Sequence, residues 1–138
     1  MSQHKPDFKA LAAQLRKPSG SGAQEVANGM DEVNGRIFDL TLEMMPLTQG
    51  QTILEIGFGS GTFIPKIFAK EEKIHLDGID YSSEMVDRAT AHNSDLIAAG
   101  KLTLRLGSSD LIPFSSGRFD IVYCNMVIFF WDNPATHL

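Results

Sequence analysis

A glycine-rich stretch near the middle of the chain combines residue types that could bind a ligand. In residues 53–63, ILEIGFGSGTF, Glu55 is followed by Gly57, Gly59 and Gly61 at every second position. Glycine adopts backbone angles that are closed to other residues and leaves no Cβ between the main chain and a ligand. A carboxylate in the same turn would repel phosphate and attract a cation. The pattern therefore predicts a site where a positively charged ligand lies on bare backbone.

Two features of this turn argue against a dinucleotide. The dinucleotide fingerprint is G-x-G-x-x-G, whereas here Gly61 falls one place early and is followed by Thr62. Glu55 would also face a pyrophosphate with no cation between them. S-Adenosylmethionine carries an ammonium and a sulfonium, so the same carboxylate would attract it. An NAD-dependent oxidoreductase is therefore the less favoured alternative.

Strands and helices alternate after residue 50 and place this turn in a sheet. Short apolar runs predict strands at 53–56, 74–80 and 121–124, the last of them central, and alternation over residues 102–106 predicts an edge strand. Helices are predicted at about 61–70 and 83–99, with Ser82 or Ser83 as a cap and Gly100 at the C-terminal end. Strands separated by helices imply a parallel α/β sheet, and ligands bind at the carboxyl ends of such strands.

The first part of the chain predicts a connector and a long helix. Residues 1–22 are polar and end in a Pro/Ser/Gly-rich stretch, so they are predicted to be a flexible segment. Apolar residues at steps of three and four predict an amphipathic helix over residues 23–45, ended by Pro46 and Gly50. Ordinary packing of this helix is favoured over a cofactor contact from Met30 or Asn34. The length allows one domain, predicted over residues 23–138.

The composition restricts the classes of function. The formal charge is −5, with 17 acidic and 12 basic residues, and no Lys/Arg cluster suits nucleic acid. The four histidines are widely separated, so no metal site is predicted. No apolar run approaches the roughly 20 residues of a membrane helix, and the single Cys124 cannot form an intrachain disulfide. We expect a cytoplasmic protein without nucleic acid or membrane partners.

The run Glu55-Ile56-Gly57-Phe58-Gly59-Ser60-Gly61 resembles the first motif of the class I S-adenosylmethionine-dependent methyltransferases, an acidic residue followed by x-G-x-G-x-G. The resemblance covers residues 23–138 and is closest to small-molecule, type 11-like domains. It implies a Rossmann-like, doubly wound parallel sheet whose first four strands have the order 3-2-1-4. It also implies S-adenosyl-L-methionine as cofactor and a small-molecule methyl acceptor.

Further segments resemble family positions that contact the cofactor. Asp80 ends the second strand, where a carboxylate can accept both ribose hydroxyls. Tyr81 and Met85 resemble residues that pack on the adenine, although Met85 could equally fill the core. Aligned on Ile-Pro-Phe at 112–114, the adenine-contacting Asp of the family falls on Ser108, whereas this chain has Asp110. Either Ser108 makes that contact, or the pair that follows it, Ser109 and Asp110, shifts to do so.

The segment after the fourth strand resembles that of small-molecule methyltransferases, in which this strand ends beside the methyl group. Asn125 could present its amide there, although an Asn at a strand end is as often a turn former. Phe129, Phe130 and Trp131 could wall an acceptor pocket, but a buried aromatic cluster is favoured. No catalytic base is predicted. The predicted cofactor residues are Glu55, Gly57, Gly59, Gly61, Thr62, Asp80, Tyr81, Met85, Ser108, Ser109, Asp110, Leu111 and Asn125.

The resemblance ends in mid-domain, because family members continue with a helix and three more strands. We therefore expect the C-terminal strands to be absent and the chain to be a truncated product or a partial domain. Alternatively, it would self-associate through the exposed edge of the fourth strand. The activity expected is transfer of a methyl group to an unidentified acceptor. A non-catalytic S-adenosylmethionine-binding half-domain is the main alternative.

Overall fold

The computed structural model describes residues 13, 20, 23–125, 127 and 131–137, with the side chains of the first helix described from residue 34 onward. The elements, in chain order, are helix α1 (Ala23–Met44), strand β1 (Thr52–Ile56), helix α2 (Ile64–Lys70), strand β2 (His75–Asp80), helices α3 (Ser83–His92) and α4 (Ser94–Ala98), strands β3 (Leu102–Leu106) and β4 (Ile121–Cys124), and a 3-10 turn (Pro134–Thr136). Most of the predicted connector at 1–22, and the side chains of Met30, Phe129 and Phe130, lie outside this description.

The four strands form one parallel sheet in the order β3-β2-β1-β4, which confirms the predicted order. Strand β1 pairs with two neighbours, and Ile53 lies opposite Leu76 of β2 and Ile121 of β4. Both faces of β1 are covered, as its continuous apolar run predicts, because Ile53 and Leu54 are buried on opposite faces. In a parallel sheet all carboxyl ends meet at one edge, and the predicted site residues follow that edge.

The core lies on both faces of the sheet. One face packs against the helices, and its buried residues include Phe38 of α1, Ile67 of α2 and Ala89 of α3. The opposite face is smaller and is covered by the segment between β3 and β4, which contributes Phe114 and Phe119. Among the described helices, none has the length and apolar composition to cross a bilayer.

Helix α3 is shorter than predicted because of Asn93. The sequence predicted one helix over residues 83–99, but the chain leaves the helical conformation at Asn93 and starts again at Ser94. The buried Asn93 side chain donates to the carbonyls of Ala89 and Gly61, each at 3.0 Å. The predicted cap is confirmed, since the Ser82 hydroxyl accepts from the amide of Met85 at 3.3 Å.

The second helix also begins later than predicted, at Ile64 instead of residue 61. The cause is the glycine turn, since Gly61 has a φ of 74° and cannot be helical. Pro65 lies in the first turn, where its missing amide proton costs no intrahelical bond. Gly100, also left-handed, follows α4 as predicted.

The two edge strands of the sheet differ in what their sequences predict. Strand β3 was predicted as an edge and pairs only with β2. Strand β4 has the apolar sequence of a central strand, but within the described residues it pairs with β1 alone, and Val122 is 54% exposed. The central position predicted for β4 is therefore not observed in this part of the chain. Self-association through this edge stays a prediction.

Candidate functional site

The turn between β1 and α2 is built from three glycines in the left-handed region. The φ angles of Gly57, Gly59 and Gly61 are 76°, 58° and 74°. A residue with a Cβ is strained at such angles. The amide of Gly57 donates to the carbonyl of Ile79 at 2.7 Å, and that of Gly59 donates to Asp80 Oδ2 at 2.8 Å. The alternate spacing of the glycines therefore lets the turn fold back onto the end of β2.

The space around each glycine is different. A Cβ on Gly59 would meet no atom within 4 Å, so this glycine borders open space. A Cβ on Gly61 would lie 2.7 Å from Ala89 Cβ and 2.8 Å from Asn93 Nδ2, so this glycine allows helix α3 to pack closely. A Cβ on Gly57 would lie 2.5 Å from Val127. Backbone open to a ligand is thus clearest at Gly59.

A cavity of about 540 Å³ lies over this turn, at the carboxyl ends of the strands. Its volume is typical of small-molecule sites. Ten of the thirteen predicted cofactor residues line it: Glu55, Gly57, Gly59, Asp80, Tyr81, Met85, Ser108, Ser109, Asp110 and Asn125. The other three, Gly61, Thr62 and Leu111, are not among its lining residues; Thr62 bonds to Ser60 at 2.7 Å, and Leu111 is 81% exposed. Cofactor contacts by these three stay predictions.

Glu55 lies at the inner end of this cavity. It is 5% exposed, and its Oε2 atom has no hydrogen-bond partner within the described structure. Burial raises the pKa of Glu55 to about 7, the Tyr123 hydroxyl lowers it in part, and the charge of Asp80 raises it further. A buried polar atom without a partner costs free energy, which a ligand with a proton to donate would recover.

Asp80 is fixed by the main chain around it. Its two carboxyl oxygens accept from the amides of Gly59 at 2.8 Å and Ser82 at 2.9 Å. Burial raises the pKa of Asp80 to about 6, and these hydrogen bonds oppose that rise. An ionised carboxylate can accept about four hydrogen bonds, so lone pairs remain for a ligand. This residue combines a fixed orientation with unused accepting capacity.

The two serines after β3 bond to the displaced acid and to the last segment of the chain. Ser108 Oγ donates to Asp110 Oδ1, and this bond lowers the pKa of Asp110. Ser109 Oγ lies 2.7 Å from Nδ1 of His137. Ser108, Ser109 and Asp110 therefore form one polar group at this end of the cavity, and either predicted mode of adenine contact is compatible with it.

Asn125 lines the cavity and bonds to helix α1. Its Oδ1 accepts from Thr41 Oγ1 of α1 at 2.8 Å, and its buried Nδ2 has no partner within the described structure. The hydrogen bond from Thr41 fixes which end of the amide faces the cavity. Asn125 therefore has an unused donor and lies in the wall of the same cavity as Glu55.

Two parts of the cavity wall were missed by the sequence reasoning or treated as ordinary. Helix α1 contributes Asn34 and Phe38, although ordinary packing was favoured for this helix. Residues 131–137 contribute His137, which was expected to be ordinary and which stacks on Trp131 at 4.6 Å between ring centroids. Trp131 itself both lines the cavity and packs against the smaller core. No local pattern marks these residues, because only the fold brings them together.

Within the described residues, no group of three or more His, Cys, Asp or Glu side chains could hold a metal ion. The chemistry of the cavity is therefore that of carboxylates, amides and hydroxyls beside apolar walls. Such a surface suits a ligand with a cationic end, hydroxyl groups and a flat ring.

The sheet order, the glycine turn and the acid at the end of β2 define a Rossmann-like domain. Residues 53–138 match the family described as methyltransferase domain. The chain belongs to this family.

Named relatives agree with that assignment. The uncharacterized methyltransferase YdaC of Bacillus subtilis is 30% identical over 82 residues, which are 59% of this chain and 43% of YdaC. The 18S rRNA (guanine-N(7))-methyltransferase of Mus musculus is 31% identical over 125 residues, 80% of this chain and 42% of that protein. A putative S-adenosyl-L-methionine-dependent methyltransferase from Methanococcus maripaludis has the same fold, with a TM-score of 0.65 at 21% identity over 99% of this chain and 59% of that one.

The chain spans between 26% and 43% of the length of the first curated relatives that it matches. The family implies S-adenosylmethionine as the cofactor. The residues present fit it, because the unpartnered oxygen of Glu55 suits an ammonium and the open face of Gly59 suits a ligand lying on the main chain.

Proposed function

We propose that this domain binds S-adenosylmethionine across the carboxyl ends of β1, β2 and β3 and transfers its methyl group to a small-molecule acceptor. In this proposal Glu55 pairs with the methionine ammonium and Asp80 accepts hydrogen bonds from the ribose hydroxyls. The group formed by Ser108, Ser109 and Asp110 contacts the adenine. The observation that carries the proposal is the buried, unpartnered carboxyl oxygen of Glu55 beside the open backbone of Gly59.

The charges of the cavity favour this ligand over a dinucleotide. Glu55 and Asp80 line the same cavity, and no lysine or arginine is among its described lining residues. A cationic ligand lets Glu55 ionise with a partner, whereas a diphosphate would add negative charge to two carboxylates. The glycine spacing excludes the dinucleotide fingerprint for an independent reason.

The protein residues would mainly hold and orient the two reactants. The bound cofactor supplies a methyl group already activated by its sulfonium. Asn125 is held by Thr41 and presents an amide proton at the inner end of the cavity. The stacked rings of Phe38 and Phe63, 5.0 Å apart, make an apolar wall that limits water. Alignment of this kind supplies up to about 7–11 kcal/mol of a barrier in well-oriented reactions.

A small acceptor is supported by the acidic lining of the cavity. Asp110 and Asp132 add to Glu55 and Asp80, and the whole chain has a formal charge of −5. Such a surface disfavours a polyanion, which needs cations along its path. The mouse relative is named for 18S rRNA, so RNA is the outcome to test against. Methyl-labelled cofactor would be incubated with total RNA and, separately, with a metabolite extract of low molecular mass; label in the RNA alone would overturn the small-acceptor proposal.

Calorimetry with S-adenosylhomocysteine tests the binding mode. Asp80→Ala should weaken binding about 30-fold, because hydrogen bonds to charged groups contribute about 1.5–3 kcal/mol. Asp87→Ala is the matched control, since Asp87 is an exposed aspartate on α3, outside the cavity. Its affinity should equal that of wild type. Circular dichroism verifies that each variant folds.

Three results would contradict the proposal. Equal heats for wild type and Asp80→Ala would remove the ribose assignment. Binding of NADH without binding of S-adenosylhomocysteine would replace the methyltransferase by an oxidoreductase. Binding of the adenosyl ligand by a chain that never transfers a methyl group would favour the non-catalytic half-domain.

A further inference from the structure

Tyr123 and Glu55 face each other across two neighbouring strands. In the parallel register of β1 and β4, Glu55 pairs with Tyr123. Tyr123 packs on the face of the sheet that α1 covers, and its hydroxyl is buried. Neither this hydroxyl nor Glu55 Oε2 completes a hydrogen bond within the described structure. Buried polar groups normally have partners, so two unpaired groups side by side require an explanation.

The described surroundings of Glu55 contain few groups that could stabilise a negative charge. The Tyr123 hydroxyl is the side-chain donor close enough to lower the pKa of Glu55. The elements that wall the cavity contribute Asp80 from β2, Asp110 after β3, and Asp132 and His137 from the last segment. Helix α1 and the turn before α2 contribute Asn34, Phe38 and Phe63, none of which titrates. Ionisation of Glu55 therefore depends on Tyr123 and on the ligand.

We infer that Tyr123 is a positioning residue whose hydroxyl donates to Glu55 and favours the ionised form that receives the ammonium of the cofactor. In molecules whose Glu55 is protonated before binding, binding converts the carboxylic acid to a carboxylate and releases that proton to the solvent. The inference rests on the proposed function, because it requires that the cationic end of the cofactor lies at Glu55. Tyr123 acts through Glu55 and does not contact the reacting atoms.

A pH dependence of binding follows from this geometry. Below a pH of about 7, Glu55 is mostly protonated in the free protein and must lose its proton before it can pair with an ammonium. Affinity for S-adenosylhomocysteine should therefore rise about tenfold from about pH 6 to about pH 8. Without the Tyr123 hydroxyl the carboxylate is less stable, so the same rise should occur at higher pH.

Calorimetry at several pH values, each in two buffers with different ionisation enthalpies, measures both affinity and the number of protons released. Wild type should release about half a proton at pH 7. Tyr123→Phe should move the midpoint of the pH profile upward by about half a unit or more, with binding near wild type at the highest pH. Glu55→Gln should bind weakly and lose the rise centred near pH 7, keeping only the change near pH 6 that comes from Asp80.

The matched control is Val122→Ala, because Val122 lies on the same strand with an exposed side chain. Its profile should coincide with that of wild type. Tyr123→Phe keeps the ring and removes only the hydroxyl, so the variant should fold, and circular dichroism verifies this. A purely structural role for Tyr123 would lower affinity equally at every pH and would overturn the inference.

The results separate this inference from the proposed function. If wild type binds S-adenosylhomocysteine with no proton release and no pH dependence, the inference is wrong while the cofactor site stands. If wild type does not bind the ligand at all, both fail. A titration of the Glu55 carboxyl carbon by NMR, in wild type and Tyr123→Phe without ligand, gives an independent readout: an unchanged midpoint would also overturn the inference.

Discussion

Two carboxylates are buried in adjacent strands of the same sheet, and the fold treats them differently. Asp77 on β2 is 1% exposed, and its Oδ2 lies 3.2 Å from Arg118 Nη2 and 3.5 Å from His75 Nε2. Glu55 on β1 is 5% exposed and lies on the opposite face, where no arginine or lysine lines the cavity among the described residues. The sheet thus supplies a cation to one carboxylate and leaves the other for a ligand.

The partner of Asp77 is itself held by aromatic side chains. The Arg118 guanidinium lies 4.9 Å from the ring centroid of Phe114 and 5.5 Å from that of Phe119. This arrangement ties the segment between β3 and β4 to the smaller core. A buried carboxylate with a protein cation is therefore structural here, whereas the one without such a partner is the candidate for ligand binding.

The largest expected effect is on the pH dependence of stability. Glu55 has an ordinary pKa of 4.5 and a folded pKa of about 7, so the folded protein holds this proton to higher pH than the unfolded chain. The stability present below pH 4.5 is lost as the pH rises through 7, by about 3 kcal/mol in total. Glu55→Gln should remove this loss and be more stable than wild type at about pH 8 by a similar amount.

Urea unfolding at low and high pH measures both quantities. Asp80, with a pKa of about 6, contributes a loss of the same sign in both proteins and so cancels in the comparison. A Glu55→Gln protein that is less stable than wild type at pH 8 would mean that Glu55 has a stabilising partner in the fold. The contrast with Asp77 would then disappear.

Asp77→Ala should lower the stability of the fold, whereas Glu55→Gln should raise it at pH 8. Loss of the hydrogen bond from Arg118 should lower the free energy of unfolding by about 2 kcal/mol, because bonds to charged groups contribute about 1.5–3 kcal/mol. The affinity for S-adenosylhomocysteine should stay within about twofold of wild type, since ΔG contributions of sites without shared partners are independent. Thermal or urea unfolding and calorimetry provide the two readouts.

Asp39→Ala is the control for that variant. Asp39 pairs with Lys66 at 2.7 Å on the surface, and such pairs contribute about 0–1 kcal/mol. Equal losses from Asp39→Ala and Asp77→Ala would show that burial of the second pair adds nothing. A large loss of affinity in Asp77→Ala would place it with Glu55 as a site residue.

The smallest expected effect on stability comes from a change in the backbone of the glycine turn, at Gly59. Gly59→Ala should cost about 1 kcal/mol of stability, because an alanine at a φ of 58° is strained. Its Cβ would point into open space, so affinity for S-adenosylhomocysteine should fall several-fold as the methyl occupies the surface of the cavity. Gly100→Ala shares the left-handed φ and the open surroundings but lies outside the cavity. It should lose stability equally and affinity not at all; equal affinities in both variants would contradict ligand contact at Gly59.

Local signals predicted much of this molecule. The strand order, the edge position of β3, the Ser82 cap and the left-handed Gly100 all follow from patterns within a few residues. Glu55 was predicted from a carboxylate beside the glycine turn and Asp80 from an acid at the end of the second strand; their contact with a cofactor stays a prediction. Their placement in one cavity agrees with the sequence reasoning.

Other features depend on contacts distant in sequence. The break at Asn93 arises from a bond to Gly61, 32 residues away, so a periodic helical pattern could not reveal it. The donor from Thr41 to Asn125 joins residues 84 apart. The sequence also predicted a negatively charged Glu55, but burial raises its pKa to about 7, so that charge depends on the ligand. The burial of Glu55 depends on the folded structure, so it cannot be predicted from the amino-acid composition.

The side-chain amide of Asn93 joins the end of helix α3 to the carbonyl of Gly61. Because Ala89 on that helix also lies against Gly61, a displacement of the helix would require the glycine turn to shift with it. A partner protein that displaced α3 would therefore also displace the main chain on which the nucleoside is proposed to lie. The position of helix α3 would thus influence the shape of the glycine turn, although α3 does not cover that turn.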